Sequence, residues 1–252
     1  MRRPAPTRPG TVRLARALSK LALASRAEAA RLIEAGRVRV DGKVVTDPRT
    51  LVVPERIAVA IDGQAAAAAS WRLVLLNKPR GVVTTRHDPE GRPTVFDLVP
   101  EGDGHLVSVG RLDLATSGLI LLTTDTRLAD WLTDPSNRVP RVYTVTARGE
   151  VADDEAARLL SGVEAAGGTL AADDVVVRKR SRRETHLVVR LREGKNREIR
   201  RLFESIGHAV TRLRRVAFGG LELGSLPDGR WREIDREEAR AAFENCPRLL
   251  GR

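Results

Sequence analysis

The chain has 252 residues, of which 42% are hydrophobic, and its 44 Lys and Arg exceed its 33 Asp and Glu to give a formal net charge of +11. This length allows one sizeable core and a second, smaller module. The positive charge favours a polyanionic partner, nucleic acid first, and argues against a neutral sugar substrate. A membrane-spanning helix is not predicted, because no stretch approaches the ~20 apolar residues that it needs.

Residues 1–10 are rich in Arg and Pro and contain no apolar segment. We therefore expect a disordered basic tail without a secretion signal, which predicts a cytoplasmic protein. Cys246 is the only cysteine, so the sequence offers neither an internal disulfide nor a cysteine-based metal cluster. This cysteine content is consistent with a reducing compartment.

The first elements along the chain are two predicted helices and a hairpin. Apolar residues at helical spacing indicate a helix over 12–21. A capping box formed by Ser25 and Glu28 begins the second helix, and Gly36 is suited to end it. The Asp-Gly pair at 41–42, flanked by valines, then predicts a hairpin with a tight turn.

This arrangement, carried by the segment SRAEAARLIEAGRVRVDGKVV, resembles the alpha-L RNA-binding module of ribosomal proteins. The resemblance covers about residues 11–60, and the small domain is predicted over 11–63. Between Arg2 and Arg56 there are thirteen Lys and Arg against five Asp and Glu. Such a cluster favours phosphate binding, although any single arginine could equally be solvated surface. The phosphate-contact candidates of this domain are Arg13, Arg16, Lys20, Arg26, Arg37, Arg39 and Lys43.

An alanine-rich stretch separates the small domain from a larger one. Residues 64–70 contain five consecutive alanines and are predicted to be a linker, with the catalytic domain over 71–245 and a tail over 246–252. The apolar run at 71–76 indicates a buried strand that ends in the sequence NKPRG. Lys78 in this sequence is predicted to belong to a structural corner rather than to the catalytic machinery.

The most informative stretch covers residues 109–125, VGRLDLATSGLILLTTD. Its pattern predicts a strand, a sharp loop and a buried strand, with Asp113 in the loop. The local pattern leaves two interpretations of Asp113 open. Either its carboxylate caps the turn, as loop aspartates commonly do, or it is a functional carboxylate held at the edge of a rigid core.

The same stretch resembles the signature of pseudouridine synthases of the RsuA/RluB branch, which modify bacterial ribosomal RNA. The matching segments are GRLD at 110–113, TSGL at 116–119 and TD at 124–125, a long and ungapped match. The resemblance implies that Asp113 is the catalytic carboxylate.

Two further motifs of that family follow in order. RVYTV at 141–145 resembles the second motif, in which the tyrosine lies against the target base and takes part in proton transfer. Here the tyrosine is Tyr143, which would otherwise be read as a core residue with its hydroxyl at the rim. GKNREIRRLF at 194–203 resembles the third motif, and the basic partner of the catalytic aspartate maps onto Arg200. A buried carboxylate needs a cation or hydrogen bonds to stay ionised at neutral pH.

A second basic zone spans residues 178–215, with fourteen Lys and Arg against four Asp and Glu. It begins at the tip of a hairpin predicted between 175–177 and 187–189. We expect this zone to continue the RNA-binding surface of the small domain. The further RNA-contact candidates are Arg111, Lys195, Arg197 and Arg201.

The remaining patterns complete an α+β fold class. They predict helices over 153–160 and 236–243, a helix that follows the third motif, and strands over 210–218 and 231–234. The expected architecture is a small N-terminal two-helix and hairpin domain, a linker, and a catalytic domain with a mixed, largely antiparallel sheet flanked by helices.

The function implied by the resemblance is isomerisation of uridine to pseudouridine in ribosomal RNA. The third motif looks more like the large-subunit branch, which favours 23S rRNA over the alternative, 16S rRNA. A non-catalytic ribosome-binding or assembly factor is the other alternative, because it would explain the charge and the small domain. The expected partner is ribosomal RNA or a ribosomal subunit precursor, with no membrane partner. We expect a monomer without a metal, nucleotide or redox cofactor.

Overall fold

The computed structural model describes residues 10–66, 70–100, 102, 105–165 and 168–250. Within these, contacts divide the chain into two units. One unit comprises the described residues of 1–72, 101–107 and 123–127, and the other comprises those of 73–100, 108–122 and 128–252.

The first unit contains a small sheet and two helices around one apolar core. Its elements in chain order are β1 (Val12–Arg13), α1 (Leu14–Lys20), α2 (Arg26–Glu34), β2 (Val38–Val40), β3 (Lys43–Val44), β4 (Leu51–Val52), a 3-10 turn (Pro54–Arg56), β5 (Val59–Ile61) and β6 (Gln64–Ala65). The four-stranded sheet has the order β3-β2-β5-β6, and β1 pairs with β4. The core contains the buried side chains of Leu14, Leu18 and Ile33.

Short sequence patterns predicted most elements of this unit. The Ser25 side chain accepts a hydrogen bond from the Glu28 N–H at 3.1 Å, which confirms the predicted helix cap. Asp41 and Gly42 both have positive φ, 49° and 80°, as the two central residues of a type I′ hairpin turn require. The first helix begins at Leu14 rather than at residue 12, because Val12 pairs with Val52 as part of a strand.

The start of the predicted linker differs in the structure. Gln64 and Ala65 form β6, which pairs with Ile61 and Ala60. A second Asp-Gly turn at 62–63, with φ of 53° and 79°, returns the chain and makes this pairing possible. Residues 67–69 of that stretch lie outside the described residues.

The second unit contains most of the remaining elements. The strands are β7 (Leu73–Lys78), β8 (Val107–Ser108), β9 (Ser117–Thr123), β10 (Arg141–Arg148), β11 (Val163–Ala165), β12 (Gly168–Leu170), β13 (Asp174–Arg180), β14 (Glu184–Leu191), β15 (Val210–Phe218), β16 (Leu221–Glu222) and β17 (Trp231–Glu233). The helical elements are α3 (Thr126–Thr133), a 3-10 turn (Pro135–Asn137), α4 (Asp153–Ser161), α5 (Glu198–Ser205), α6 (Arg236–Ala242) and α7 (Pro247–Leu250).

The main sheet has the strand order β13-β14-β10-β15-β9-β7-β17, with β16 beside β15 and β8 beside β9. The pairs β13–β14, β14–β10, β10–β15 and β7–β17 are antiparallel, whereas β9 and β15 run parallel. All six residues of β7 are buried, as is typical of a strand covered on both faces. The predicted α+β class with a largely antiparallel mixed sheet is therefore confirmed.

A short helix is the last element of the described residues. Residues 247–250 of the predicted tail form α7, which is held by burial of the Leu249 side chain. Over the described ranges, no helix is both long and apolar enough to cross a membrane.

Candidate active site

A cavity of about 250 Å³ opens in the second unit. Its wall combines the loop before β9, the first residues of β10, the loop before α5 and the last residues of β15. The charged and aromatic side chains that line it are Arg111, Asp113, Arg141, Tyr143, Lys195, Arg197, Glu198, Arg215 and Phe218. The cavity therefore has five cationic side chains against two carboxyl groups.

Asp113 lies half-buried in the loop between β8 and β9 and lines the cavity. Its backbone carbonyl accepts the Thr116 N–H at 3.0 Å, which closes the turn. Its side chain makes no hydrogen bond to any of the described residues. The carboxylate is therefore not the cap of this turn, and it is available to a ligand.

The NKPRG corner holds the loop that carries Asp113 through hydrogen bonds. The Lys78 Nζ donates to the Thr116 carbonyl at 2.8 Å and to the Pro79 carbonyl at 3.1 Å. The Gly81 N–H donates to the Leu114 carbonyl at 2.9 Å. These bonds give the corner the structural role that the sequence predicted.

Lys78 is fully buried, and this has an electrostatic consequence. Burial lowers the pKa of its ammonium to about 8, while the negative charge of Asp113 opposes that shift. Lys78 therefore contributes positive charge behind Asp113 at neutral pH.

Arg200 reaches the same loop from α5. Its Nη1 donates to the Val210 carbonyl at 2.9 Å and its Nη2 lies 3.5 Å from the Ala115 carbonyl. Burial and the neighbouring Arg197 lower the pKa of Arg200, and Asp113 opposes this shift. Among the described residues Arg200 has no carboxylate oxygen within 4 Å, so its interaction with Asp113 is one of longer range.

Tyr143 lies on β10 with 9% of its surface exposed and lines the cavity. In the sheet it is the direct partner of Arg215 on β15 and of Val189 on β14. Directly opposite residues in a sheet project their side chains to the same face. Tyr143 and Arg215 therefore form neighbouring parts of one cavity wall.

The loop before α5 supplies the cationic rim of the cavity. Lys195 and Arg197 are exposed there, and Arg197 has a φ of 49° as the residue before the helix. Glu198 is buried, accepts the Lys195 N–H at 3.1 Å, and has its pKa raised by burial. The exposed Lys195 and Arg197 are thus close in the chain to the buried carboxyl group of Glu198.

Two buried arginines of this cavity, Arg141 and Arg215, had no role assigned from the sequence. A charged residue among the inward positions of a strand is unusual, since arginine is rarely fully buried without a partner. In the sequence Arg215 shares its strand with Arg212 and Arg214, so no local pattern could have identified it.

The predicted RNA contacts fall into two groups. Arg111, Lys195 and Arg197 line the cavity, whereas Arg201 on α5 does not. The other seven candidates lie in the first unit, where Arg37 is held by Asp62 through bonds of 2.7 and 2.6 Å that raise the pKa of Arg37. Those exposed in the first unit are Arg13, Arg16, Arg26, Arg37, Arg39 and Lys43, while Lys20 is partly buried.

Two protein families match parts of this chain. Residues 72–205 match the RNA pseudouridylate synthase family, and residues 12–56 match the S4 domain. The chain is 41% identical over 234 residues to the ribosomal large subunit pseudouridine synthase B of Pseudomonas aeruginosa, covering 90% of this chain and 60% of that protein. It is 40% identical over 233 residues to the Vibrio cholerae protein of the same name, covering 90% of this chain and 72% of that protein.

A solved structure is also similar. The crystal structure of a pseudouridylate synthase superposes with a TM-score of 0.63 at 25% sequence identity, over 90% of this chain and 97% of that one.

Proposed function

Because this chain belongs to the RNA pseudouridylate synthase family, we propose that it converts uridine to pseudouridine in the 23S ribosomal RNA of the large subunit. The observation that carries the proposal is the half-buried Asp113, whose carboxylate has no hydrogen bond to the described residues and lines a basic cavity together with Tyr143. The large-subunit names of the relatives favour 23S over 16S rRNA.

The reaction exchanges a bond from C1′ to N1 of uracil for a bond from C1′ to C5. The first bond breaks with its electron pair going to the base, the base turns, and C5 bonds to C1′. The proton of C5 is lost and N1 gains one, so the product is an isomer of the substrate. This isomerisation involves no net oxidation or reduction, and the proposal includes no metal, nucleotide or redox cofactor.

Asp113 supports either of two roles in this sequence. Its carboxylate can attack C1′ and form a glycosyl ester, or it can remove a proton from C2′. In both cases it must be ionised. Two cations lie near it, because the charge of Asp113 opposes the lowering of the pKa of both Lys78 and Arg200 by burial.

The uridine must leave its stack to reach this cavity, at a cost of roughly a few kcal/mol. The ring of Tyr143 is positioned to lie against the extruded base, and its hydroxyl is a candidate for proton transfer. The exposed cations Arg111, Lys195 and Arg197 are suited to the flanking phosphates at the rim. Phosphate contacts of this kind offset the cost of unstacking.

The first unit contains the residues that match the S4 domain, and we call it the S4 unit. We assign it to general RNA binding through its exposed cations. The proposed partner is ribosomal RNA or a subunit precursor, and the proposed state is a cytoplasmic monomer. A protein that binds rRNA without modifying it would share these features, so the test must measure product.

The test is to map pseudouridines in ribosomal RNA from cells with and without the gene. Loss of one or more sites in 23S rRNA, restored by the wild-type gene and not by an Asp113→Asn gene, is the expected result. Loss confined to 16S rRNA would redirect the substrate assignment. Unchanged modification, with purified protein that still binds ribosomal RNA, would favour the assembly-factor alternative.

A further inference from the structure

Arg141 and Arg215 are the two buried cations of the cavity, with 5% and 3% of their surfaces exposed. Each guanidinium carbon lies 5.0 Å from the centroid of the Phe218 ring. Their like charges repel, which contributes with burial to a lowered pKa of Arg141. Burying two cations beside one ring costs free energy unless hydrogen bonds compensate, so the partners of each guanidinium group must be identified.

Arg141 has its partners in the protein. Its Nη1 donates to the carbonyls of Val139 and Arg192 at 3.0 Å and of Glu193 at 3.2 Å, and its Nη2 donates to the Leu132 carbonyl at 3.2 Å. Arg141 therefore fastens the loop after β14 to the end of α3. Its donors are used by the fold itself.

Arg215 lacks such partners. Its Nε donates to the Leu119 carbonyl at 2.7 Å, while its Nη2 is inaccessible to solvent and has no acceptor. Its Nη1 likewise has no acceptor within the described parts of the chain, and no carboxylate oxygen lies within 4 Å of the guanidinium. Leaving buried donors unpaired costs about 1–3 kcal/mol each, and more when the group is charged.

The position of Arg215 is nevertheless fixed. The bond to Leu119 holds the Nε, the Phe218 ring lies against the guanidinium, and the backbone pairs with Gly118 on β9 and Tyr143 on β10. The guanidinium is thus held in the cavity wall with its Nη1 donor unused and, unlike Nη2, not sealed from solvent, so it is organised in advance for a ligand.

We propose that Arg215 binds a carbonyl oxygen of the target uracil and stabilises the negative charge that the base carries after the N1–C1′ bond breaks. This inference rests on the proposed function. Uracil has two carbonyl acceptors, and the electron pair of the broken bond is delocalised onto them until C5 bonds to C1′. A fixed cation at that point is stabilising mainly in the transition state, which is where catalysis gains from it.

Depth in the cavity distinguishes the base from a phosphate as the ligand. Arg215 is buried beside Tyr143, whereas Arg111, Lys195 and Arg197 are the exposed cations at the rim. The sugar-phosphate backbone of a long RNA must stay at the rim, since it continues in both directions. The group that enters the cavity is the extruded base.

The test compares wild type with Arg215→Gln and Arg215→Lys, using Arg214→Gln as the matched control. Arg214 is the neighbour of Arg215 on β15 and does not line the cavity. Its Nη2 lies 3.5 Å from the Asp228 Oδ1. Single-turnover pseudouridine formation is measured at saturating 23S rRNA transcript, together with RNA affinity, thermal stability and binding of free uracil.

We expect Arg215→Gln to lower the single-turnover rate by about 10²-fold or more while RNA affinity changes less than about threefold. Arg215→Lys should recover part of the rate, and Arg214→Gln should keep all of it. Free uracil should bind wild type and Arg214→Gln equally and Arg215→Gln more weakly.

Three results would overturn the inference. One is a folded Arg215→Gln protein with the wild-type rate. Another is weaker RNA binding with a shallower salt dependence but a normal saturated rate, which would identify a phosphate contact. The third uses unmodified protein and applies even if Arg215→Gln does not fold: bound uracil that leaves the ¹⁵N signals of the Arg215 guanidinium unshifted.

Failure of the proposed function gives a different pattern. In that case wild type forms no pseudouridine in ribosomal RNA, yet uracil binding that depends on Arg215 still supports the assignment of this residue to a pyrimidine site.

Discussion

Gly118 lies so close to Arg215 that a Cβ atom on it would be 2.1 Å from the Arg215 carbonyl oxygen and 2.8 Å from its nitrogen. These residues are register partners in the parallel pairing of β9 with β15. Gly118 is the second residue of the strand that leaves the Asp113 loop, and Arg215 lines the cavity. One close backbone contact therefore sets the distance between the proposed catalytic loop and the opposite wall.

This contact predicts the effect of Gly118→Ala. The added methyl group would collide with backbone, which cannot move aside as a flexible side chain can, and the φ of 104° disfavours any L side chain. We expect a loss of about 3 kcal/mol in the free energy of unfolding, or failure to fold, by chemical denaturation. Gly207→Ala is the matched control, because Gly207 has a φ of 87° and open space at its Cβ position. Equal destabilisation by both changes would contradict the prediction.

The buried Lys78 predicts an unusual dependence of stability on pH. Its pKa is about 8 in the folded chain against 10.5 without burial, so the unfolded chain binds more protons between those values. The free energy of unfolding should therefore rise as the pH increases from about 8 to 10.5, by up to about 3 kcal/mol from this group. Below pH 8 Lys78 is protonated in both the folded and the unfolded chain, so it adds no pH dependence to the free energy of unfolding.

The measurement is the difference in unfolding free energy between wild type and Lys78→Met as a function of pH. Taking the difference removes the other groups that titrate in this range. The difference should grow in favour of wild type above pH 8. Lys179→Met, at an exposed site on β13, should instead follow the wild-type profile. Parallel profiles for Lys78→Met and wild type would show that Lys78 does not titrate as described.

The S4 unit predicts a salt-dependent share of RNA affinity. Arg13, Arg16 and Arg26 are exposed and have no carboxylate oxygen within 4 Å among the described residues. Replacing all three by Gln should weaken binding to ribosomal RNA and reduce the slope of log affinity against log salt by roughly 2.

The control for this variant removes the same charge from arginines that are already paired. Arg31, Arg49 and Arg127 form ion pairs with Glu28, Asp47 and Glu55. Their triple Gln variant should change the salt slope less. If the two triple variants behave alike, net charge rather than specific contact determines binding.

The sequence revealed those parts of the fold that depend on near neighbours. The Ser25 cap and the Asp-Gly turn at 41–42 are each specified by two residues close in the chain. The strand at Val12 was missed because its partner is Val52, forty positions away. The parallel pairing of β9 with β15 likewise could not be predicted from local pattern, because neither segment contains a signal that specifies its partner strand.

The same division applies to the site. Asp113 and Tyr143 stand in recognisable motifs, and the structure brings both to one cavity. Arg215 stands among other arginines of a basic strand and cannot be distinguished from them by composition. Only the register that places it opposite Tyr143, and the absence of acceptors for its Nη groups among the described residues, separates it from surface cations.

Arg200 is predicted to combine a structural role with an electrostatic one. Arg200→Ala removes the donors that meet the Val210 and Ala115 carbonyls, as well as a positive charge near Asp113. We expect a loss of about 1–2 kcal/mol in unfolding free energy and at least about a tenfold lower single-turnover rate at equal folded protein. Arg200→Lys should restore part of the rate. A folded Arg200→Ala protein with undiminished turnover would exclude the electrostatic role.

Asp113→Asn separates catalysis from structure most directly, because asparagine keeps the shape of the side chain. The turn is closed by the backbone carbonyl of Asp113 and not by its carboxylate, so stability should change by less than about 1 kcal/mol. The amide can neither form a glycosyl ester nor accept the C2′ proton. Pseudouridine formation should therefore fall by roughly 10³-fold or more, while RNA affinity stays equal or improves as a negative charge is removed.

The control for this change is Asp97→Asn. The Asp97 carboxylate accepts the Thr94 N–H at 2.7 Å and lies outside the cavity lining, so it has the turn-capping role that Asp113 lacks. Its replacement should leave turnover unchanged. Single-turnover rates and binding of the same RNA are measured side by side for both variants. Substantial turnover by folded Asp113→Asn protein would refute the assignment of Asp113 and the mechanism with it. The one other carboxyl group in the cavity lining, among the described residues, is that of the buried Glu198.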